Sequence, residues 1–212
     1  MRNNLIFTLI VLLAFFASGG CEVDFGGTNN NSNSGENNES ILRGTITSIV
    51  PDRDLSGITV QIEDKETGSF FSDTTDSSGF FQIEGSFHGT LLRLEFLDES
   101  SSQIAITSVT VFPGAEVDLG SISINNGIVN IEGDIVVVFE GDVIENNCSG
   151  GTGTIEVETD STEVIVQVLS STEITRDSDE LACEDILIGN EVEIRGMLLP
   201  GDTVQADSIE VK

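Results

Sequence analysis

Residues 75–83 have the sequence Thr-Asp-Ser-Ser-Gly-Phe-Phe-Gln-Ile. Gly79 permits a tight turn, because glycine adopts backbone conformations that other residues resist. Phe81 and Ile83 are two residues apart, so in an extended chain their side chains point to the same face. The stretch therefore predicts a turn that leads into a β-strand with one apolar face.

The two-residue period continues along the chain from residue 41, with almost no helical period. Turn-forming residues interrupt it at intervals of roughly eight to twelve residues, which is typical of antiparallel sandwiches and barrels. Seven of the twelve phenylalanines lie in residues 70–112, whereas the C-terminal half has only Phe139, so we expect two different cores. Asn125-Asn126-Gly127 is the predicted boundary between them. The clearest alternating residues are Ile58, Val60, Ile62, Leu92, Leu94 and Phe96.

The turn and strand at residues 75–83 fit the T-D-x-x-G-x-F-x-I pattern of the carboxypeptidase regulatory-like, prealbumin-type β-sandwich family. Residues 41–124 resemble this family, and residues 117–122 resemble its closing strand. The resemblance implies an antiparallel sandwich of about seven strands. It also implies an accessory module without catalytic activity.

Residues 127–212 are similar, most clearly over residues 163–212, to a small OB-like β-barrel family of unknown function in exported bacterial proteins. OB barrels often bind oligonucleotides through basic grooves and stacked aromatic side chains. This region has 20 acidic residues, three basic residues and one aromatic residue, so we do not expect that function. The predicted fold is all-β: an antiparallel sandwich in residues 41–124, then a small acidic barrel in residues 127–212.

Residues 1–20 are predicted to be a lipoprotein signal peptide. Arg2 precedes an apolar core at residues 5–17, which is shorter than the ~20 residues of a membrane-spanning helix. Ala17-Ser18-Gly19-Gly20-Cys21 resembles the lipobox of bacterial lipoproteins, with Ser18 where that family usually has leucine. The resemblance implies that Cys21 is lipidated and becomes the mature N-terminus. The alternative is ordinary secretion, with cleavage near residues 17–19.

Residues 21–40 are rich in asparagine, serine and glycine and are predicted to be a flexible tether. Glu22 follows the predicted lipidated cysteine, and this favours the outer membrane in Gram-negative lipoproteins. The expected location is therefore the cell envelope, on the periplasmic or surface face of a membrane to which the protein is anchored by lipid.

The charge limits the possible partners and activities. The chain has 37 acidic and 8 basic residues, for a formal net charge of −29. Because phosphate backbones are also negative, we exclude nucleic acid as a partner. One histidine, no tyrosine and no tryptophan leave few side chains for acid–base catalysis, so we do not expect an enzyme. A second acidic run at residues 177–185 is predicted to be a solvated loop or short helix.

Three cysteines are an odd number, and lipidation of Cys21 leaves one pair, Cys148 and Cys183. Outside the cytoplasm a disulfide is the default for such a pair. The alternatives are a metal site or a catalytic thiol, but His88 lies in the other predicted domain and neither cysteine has a histidine nearby. We therefore expect a disulfide between Cys148 and Cys183.

Residues 52–63 nearly fit the calcium loop D-x-[DN]-x-[DN]-G-x5-E, with possible ligands Asp52, Asp54 and Glu63. That loop requires a helix on both sides, whereas the flanking residues alternate as strands and Pro51 stands at the entry. The alternative is a turn between two strands. We predict no cofactor, with calcium at these three carboxylates as the one possibility.

Together these observations predict a lipid-anchored cell-envelope protein that acts as a non-enzymatic binding or structural module. Its partners would be the membrane, through the N-terminal lipid, and an envelope protein or a glycan. The alternative is a surface lipoprotein that binds carbohydrate, or another ligand with calcium, and serves nutrient uptake. The absence of tyrosine and tryptophan weakens the carbohydrate alternative.

Overall fold

A computed structural model describes residues 39–51, 53–88, 90–160 and 162–212. Within these ranges the chain forms fifteen β-strands and one short 3-10 turn at Cys183–Asp185, and it has no α-helix. No helix in the described part is long and apolar enough to cross a membrane. The predicted signal peptide, Cys21 and nearly all of the predicted tether lie outside the described residues.

Seven strands form the predicted sandwich. They are β1 (Ser40–Val50), β2 (Thr59–Asp64), β3 (Ser69–Thr74), β4 (Phe80–Gly85), β5 (Leu91–Leu97), β6 (Gln103–Thr110) and β7 (Glu116–Asn125). One sheet has the order β3-β2-β5-β6, and in the other sheet β1 lies between β4 and β7. All of these pairs are antiparallel except β1 with β7, which is parallel.

The remaining strands include a closed five-stranded barrel. They are β8 (Ile128–Glu132), β9 (Val136–Asn146), β10 (Gly153–Glu158), β11 (Glu163–Val168), β12 (Glu173–Arg176), β13 (Asp179–Glu180), β14 (Glu191–Leu199) and β15 (Thr203–Val211). The barrel runs β9-β10-β11-β15-β14 and closes by pairing β14 with β9. The predicted sandwich followed by a small barrel is confirmed.

The sandwich and the barrel share one sheet. The first part of β7 pairs with the start of β9, from Glu116 opposite Val138 to Asp118 opposite Val136. The last part of β7 pairs instead with β8. At the predicted boundary, Asn126 and Gly127 form the turn of the β7–β8 hairpin, with φ angles of 50° and 83°. The boundary is thus a tight turn within a continuous sheet and not a linker.

The two cores differ in composition but are continuous. The sandwich core contains packed phenylalanines, such as Phe81 and Phe96, whose ring centroids are 6.5 Å apart. The barrel core is mostly aliphatic, and the buried side chains of both parts form one cluster. Phe112 of the sandwich and Phe139 of the barrel join the two, with ring centroids 5.6 Å apart. Aromatic pairs at this separation stabilise beyond the area they bury.

The stretch at residues 75–83 folds as predicted. The Asp76 carboxylate accepts hydrogen bonds from the backbone N–H groups of Ser78 and Phe80, which close the turn. Gly79 has a φ of 81°, and a Cβ at this position would collide with the carbonyl oxygen of Ile46. The turn therefore requires glycine both for its backbone conformation and for its close approach to β1.

Asp64 is a fully buried carboxylate at the end of β2. Its oxygens accept hydrogen bonds from the backbone N–H groups of Glu66 at 2.9 Å and His88 at 3.1 Å. Burial raises the pKa of Asp64, but hydrogen bonds from His88, Glu66 and Thr67 outweigh burial and hold the pKa below its usual value. Asp64 therefore joins the β2–β3 turn to the segment that follows β4.

We expect Asp64→Asn to lower the free energy of unfolding at pH 7 by about 1–3 kcal/mol, because the amide keeps only one acceptor oxygen and leaves a backbone N–H group facing an NH₂ group. The lowered folded-state pKa makes the carboxylate stabilising above its unfolded pKa, and this contribution is lost as the pH falls through the folded-state pKa. The variant should therefore lose less stability than the wild type between about pH 5 and pH 2. Urea unfolding across this range measures both effects.

Asp207→Asn is the matched control, because Asp207 is exposed and the substitution removes the same charge. Equal stability of the two variants at pH 7 would contradict the role assigned to Asp64.

Candidate functional site

A cleft of about 760 Å³ lies where the sandwich meets the barrel. Its walls come from the segment that connects β6 to β7, the middle of β9, the end of β10 and the start of β14. Phe139, whose side chain is buried, is also among its lining residues. The volume is in the range of sites that take small ligands or side chains of a partner. Seven carboxylates line it: Glu116, Glu140, Asp142, Glu158, Asp160, Glu191 and Glu193.

Strand register aligns three of these acids with Glu163, which lies beside the cleft residue Glu158. Glu163 of β11 is opposite Glu158 of β10, Glu158 is opposite Asp142 of β9, and Asp142 is opposite Glu191 of β14. These four residues, called the acidic row below, follow the outer surface of the barrel across four strands. Like charges directly opposite each other destabilise a sheet, by about 0.2–1 kcal/mol per pair.

Two basic residues partly neutralise the cleft. The Lys212 ammonium forms an ion pair with Glu140 and lies 3.6 Å from Glu193. Its hydrogen bond with Glu140 raises the pKa of Lys212. The Arg43 guanidinium lies 3.7 Å from Glu116 and 3.0 Å from Asp118, both in β7. None of these ion pairs includes a residue of the acidic row, so the row keeps its negative charge.

Close packing of β9 against β10 depends on a glycine in the cleft. A Cβ at Gly141 would collide with the carbonyl oxygen of Glu158. Gly141 lies between Glu140 and Asp142, whose side chains are exposed. A side chain at residue 141 would push β10 away and separate the acids of the two strands.

The arrangement is suited to attracting positive charge and repelling polyanions. A concave, acidic surface concentrates cationic groups near it. In the described ranges, no three histidine, cysteine, aspartate or glutamate side chains converge closely enough to hold a metal ion. The acids are spread along the strands, so the cleft fits several separate cationic groups better than a single ion.

The predicted calcium ligands do not line this cleft. Asp52 lies outside the described residues, so this prediction stays untested. Asp54 accepts a hydrogen bond from the N–H of Ser56 at 3.0 Å, as in a tight turn. Glu63 lies within β2, where Arg93 is 3.4 Å from its carboxylate. The flanking elements are the strands β1 and β2, and the helices of an EF-hand are not present there.

The predicted disulfide between Cys148 and Cys183 is confirmed, with Cα atoms 5.7 Å apart. It joins the β9–β10 connection to the 3-10 turn that precedes β14. The Asn146 amide donates hydrogen bonds to two carbonyl oxygens of that segment, one of which belongs to Cys183. Glu184, in the second acidic run, accepts a hydrogen bond from the N–H of Gly151, which lowers the pKa of Glu184.

No motif in the sequence predicts the cleft, because its acids come from four strands that are distant in the chain. One signal along β9 points to it. Where β9 pairs with β7, its outward-facing residues are apolar: Val136 and Val138. Beyond that pairing, the outward-facing residues of β9 are acidic: Glu140 and Asp142. This change marks the place where the sandwich stops covering the barrel.

We expect the triple variant Asp142→Asn, Glu158→Gln, Glu191→Gln to be more stable than the wild type at low ionic strength. The substitutions remove all three opposed pairs of the acidic row, a gain on the order of 1 kcal/mol. The difference should disappear near 1 M NaCl, where the screening length is about 3 Å. Thermal or urea unfolding at several salt concentrations measures it.

The control is Glu66→Gln, Glu99→Gln, Asp207→Asn, which removes three exposed charges outside the cleft. If the control gains the same stability, the effect comes from net charge, and the acidic row has no special role.

Comparison with protein-family models, with curated proteins and with solved structures finds no match to this chain. The functional argument therefore depends on the chain's own sequence and geometry. Its main elements are a rigid junction between sandwich and barrel, an acidic cleft at that junction and a disulfide at the end of the barrel.

Proposed function

We infer that this chain is a lipid-anchored protein of the cell envelope and acts as a non-enzymatic binding or structural module. The acidic cleft is the surface that would receive a partner, and that partner presents several positively charged groups. The observation that most strongly supports this proposal is the position of the cleft. It lies at the shared sheet, where paired strands hold its walls in fixed positions.

Preorganised walls favour binding, because less conformational freedom is lost when the partner arrives. The acidic row also supports the proposal. Its opposed carboxylates destabilise the free protein, and a cationic partner would relieve that repulsion. Residues that serve function often lower the stability of the folded protein in this way.

The disulfide supports a location outside the cytoplasm, where such bonds form and persist. The leader pattern before Cys21 supports lipid attachment, and the polar residues after it would give the folded part freedom to move above a membrane. The composition supports a non-enzymatic role. The single histidine, His88, lies beside Asp64 in the sandwich and does not line the cleft.

We expect the triple variant of the acidic row to bind an oligolysine peptide about tenfold more weakly than the wild type. The variant cannot form three exposed ion pairs with the peptide. At about 0.5 kcal/mol for each pair, this loss of binding free energy weakens the affinity by about this factor. Fluorescence anisotropy of a labelled peptide at low ionic strength measures the affinity. Because the same variant should be more stable than the wild type, unfolding cannot explain weaker binding.

The control variant Glu66→Gln, Glu99→Gln, Asp207→Asn has the same net charge and should keep most of the affinity. Equal losses in both variants would show that the peptide responds to total charge, and the cleft would no longer be the binding surface.

Membrane attachment has its own test. Cys21→Ser should move the protein from the membrane fraction to the soluble fraction of the envelope, because the substitution removes the thiol that carries the lipid. Fractionation followed by immunoblotting measures the distribution, and mass spectrometry of the wild type detects the lipid. Unchanged membrane retention of Cys21→Ser would refute the lipid anchor, and a soluble wild type would indicate ordinary secretion.

A further inference from the structure

Lys212 places a positive charge of the chain itself against the acidic cleft. Its backbone N–H donates a hydrogen bond to the carbonyl oxygen of Glu191 at 3.0 Å, which holds the residue beside the start of β14. Its ammonium forms an ion pair with Glu140 and lies 3.6 Å from Glu193. Both carboxylates line the cleft, so the chain already covers part of the surface that would receive a cationic partner.

Strands β9 and β14 carry two equivalent pairs of acids. Glu140 is opposite Glu193, and Asp142 is opposite Glu191. Because alternate residues of a strand share a face, both pairs point to the same side of the sheet, about 7 Å apart along the strands. The first pair has the Lys212 ammonium against it. The second pair belongs to the acidic row and has no counter-charge among the described ion pairs.

The first pair shows what kind of group such carboxylates hold. A primary ammonium has three hydrogen-bond donors and can serve two carboxylates at once. The hydrogen bond with Glu140, together with the charges of Glu140 and Glu193, raises the pKa of Lys212, so the ammonium stays charged at neutral pH. Arg195 lies on the same face of β14 as Glu193, but the described ion pairs of these two glutamates do not include it. Lys212 is therefore the residue that competes for them.

This ion pair is accessible to a competitor. The side chain of Lys212 is 33% exposed, and the side chains of both glutamates are more exposed than that. Exposed ion pairs are weak, because water and salt ions compete with each partner. A cationic group of another molecule can therefore compete with Lys212, and loss of the lysine would leave both carboxylates free.

We propose that Lys212 limits the affinity of the acidic cleft for its cationic partner by occupying Glu140 and Glu193. The inference rests on the function proposed above, because it assumes that the cleft receives positively charged groups. Those groups interact with the acidic row, whereas Lys212 withholds the adjacent pair of acids. A competitor within the same chain acts at a fixed effective concentration, so it weakens binding without abolishing it.

Lys212→Met in the full-length protein tests the proposal, with the labelled oligolysine peptide as the probe. The variant should bind the peptide about fivefold more tightly than the wild type at low ionic strength, because two carboxylates become free to form exposed ion pairs with it. The gain should disappear near 1 M NaCl, where the screening length is about 3 Å. Fluorescence anisotropy measures both effects.

Lys65→Met is the matched control, because Lys65 is exposed in the β2–β3 turn and the substitution makes the same change in net charge. Its affinity should stay within about twofold of the wild type, since a distant charge is screened.

A second variant, Lys212→Met with Glu140→Gln and Glu193→Gln, also removes the two carboxylates that loss of the lysine would free. It should bind the peptide about fivefold more weakly than Lys212→Met does. It also removes the repulsion between the two glutamates, so it keeps the test decisive should Lys212→Met lower the unfolding midpoint.

Equal affinities of Lys212→Met and Lys65→Met would overturn the inference, and so would a gain that persists without the two glutamates. In either case the proposed function stands if the acidic-row variant still binds the peptide more weakly than the wild type. An acidic-row variant that binds as tightly as the wild type would refute the proposed function, and this inference with it.

Discussion

Strand β7 has two partners on one edge: β9 along Glu116–Asp118 and β8 along Ser121–Asn125. The first pairing fixes the barrel against the sandwich, because backbone hydrogen bonds set the register and a shift by one residue would turn every side chain to the opposite face. Phe112 and Phe139 then pack together beneath the junction. The walls of the cleft and the contact between Thr110 and Asp202 follow from this register.

The acidity of the protein has a geometric consequence on the barrel. Alternate residues of a strand point inward, and here those positions are apolar and buried. Acids must therefore occupy the outward positions, and outward positions of paired strands lie next to one another. The acidic row results from this constraint. Lys212 and Arg43 neutralise acids elsewhere in the cleft, but the described ion pairs leave the row itself without a counter-charge.

Local patterns were sufficient to predict the strands, the turn at Gly79 and the disulfide, because each depends on residues close in sequence or on a small number of cysteines. The two-residue period predicts a sandwich or a barrel, but the division into one of each was predicted only from resemblance to known families. The junction was not predicted, because pairing of β7 with β9 leaves the two-residue period of both strands unchanged. The sequence Asn125-Asn126-Gly127 suits a linker and a hairpin turn equally well, and only the pairing of β7 with β8 distinguishes them. The cleft requires the register of four strands, which no single stretch contains.

Acidic residues have different effects inside a sheet and at its edges. Acids placed opposite acids within the barrel lower its stability, yet acids on an edge protect that edge from other chains. Charge on β3, β4, β8 and β13 therefore has a protective role that charge in the acidic row lacks. Position, and not the total of −29, determines which role a carboxylate has. In the acidic row the carboxylates lie opposite one another inside the sheet, where they protect no edge and the described ion pairs give them no counter-charge. A cationic group beside the row would reduce that repulsion, whereas one beside an edge carboxylate would have less repulsion to reduce.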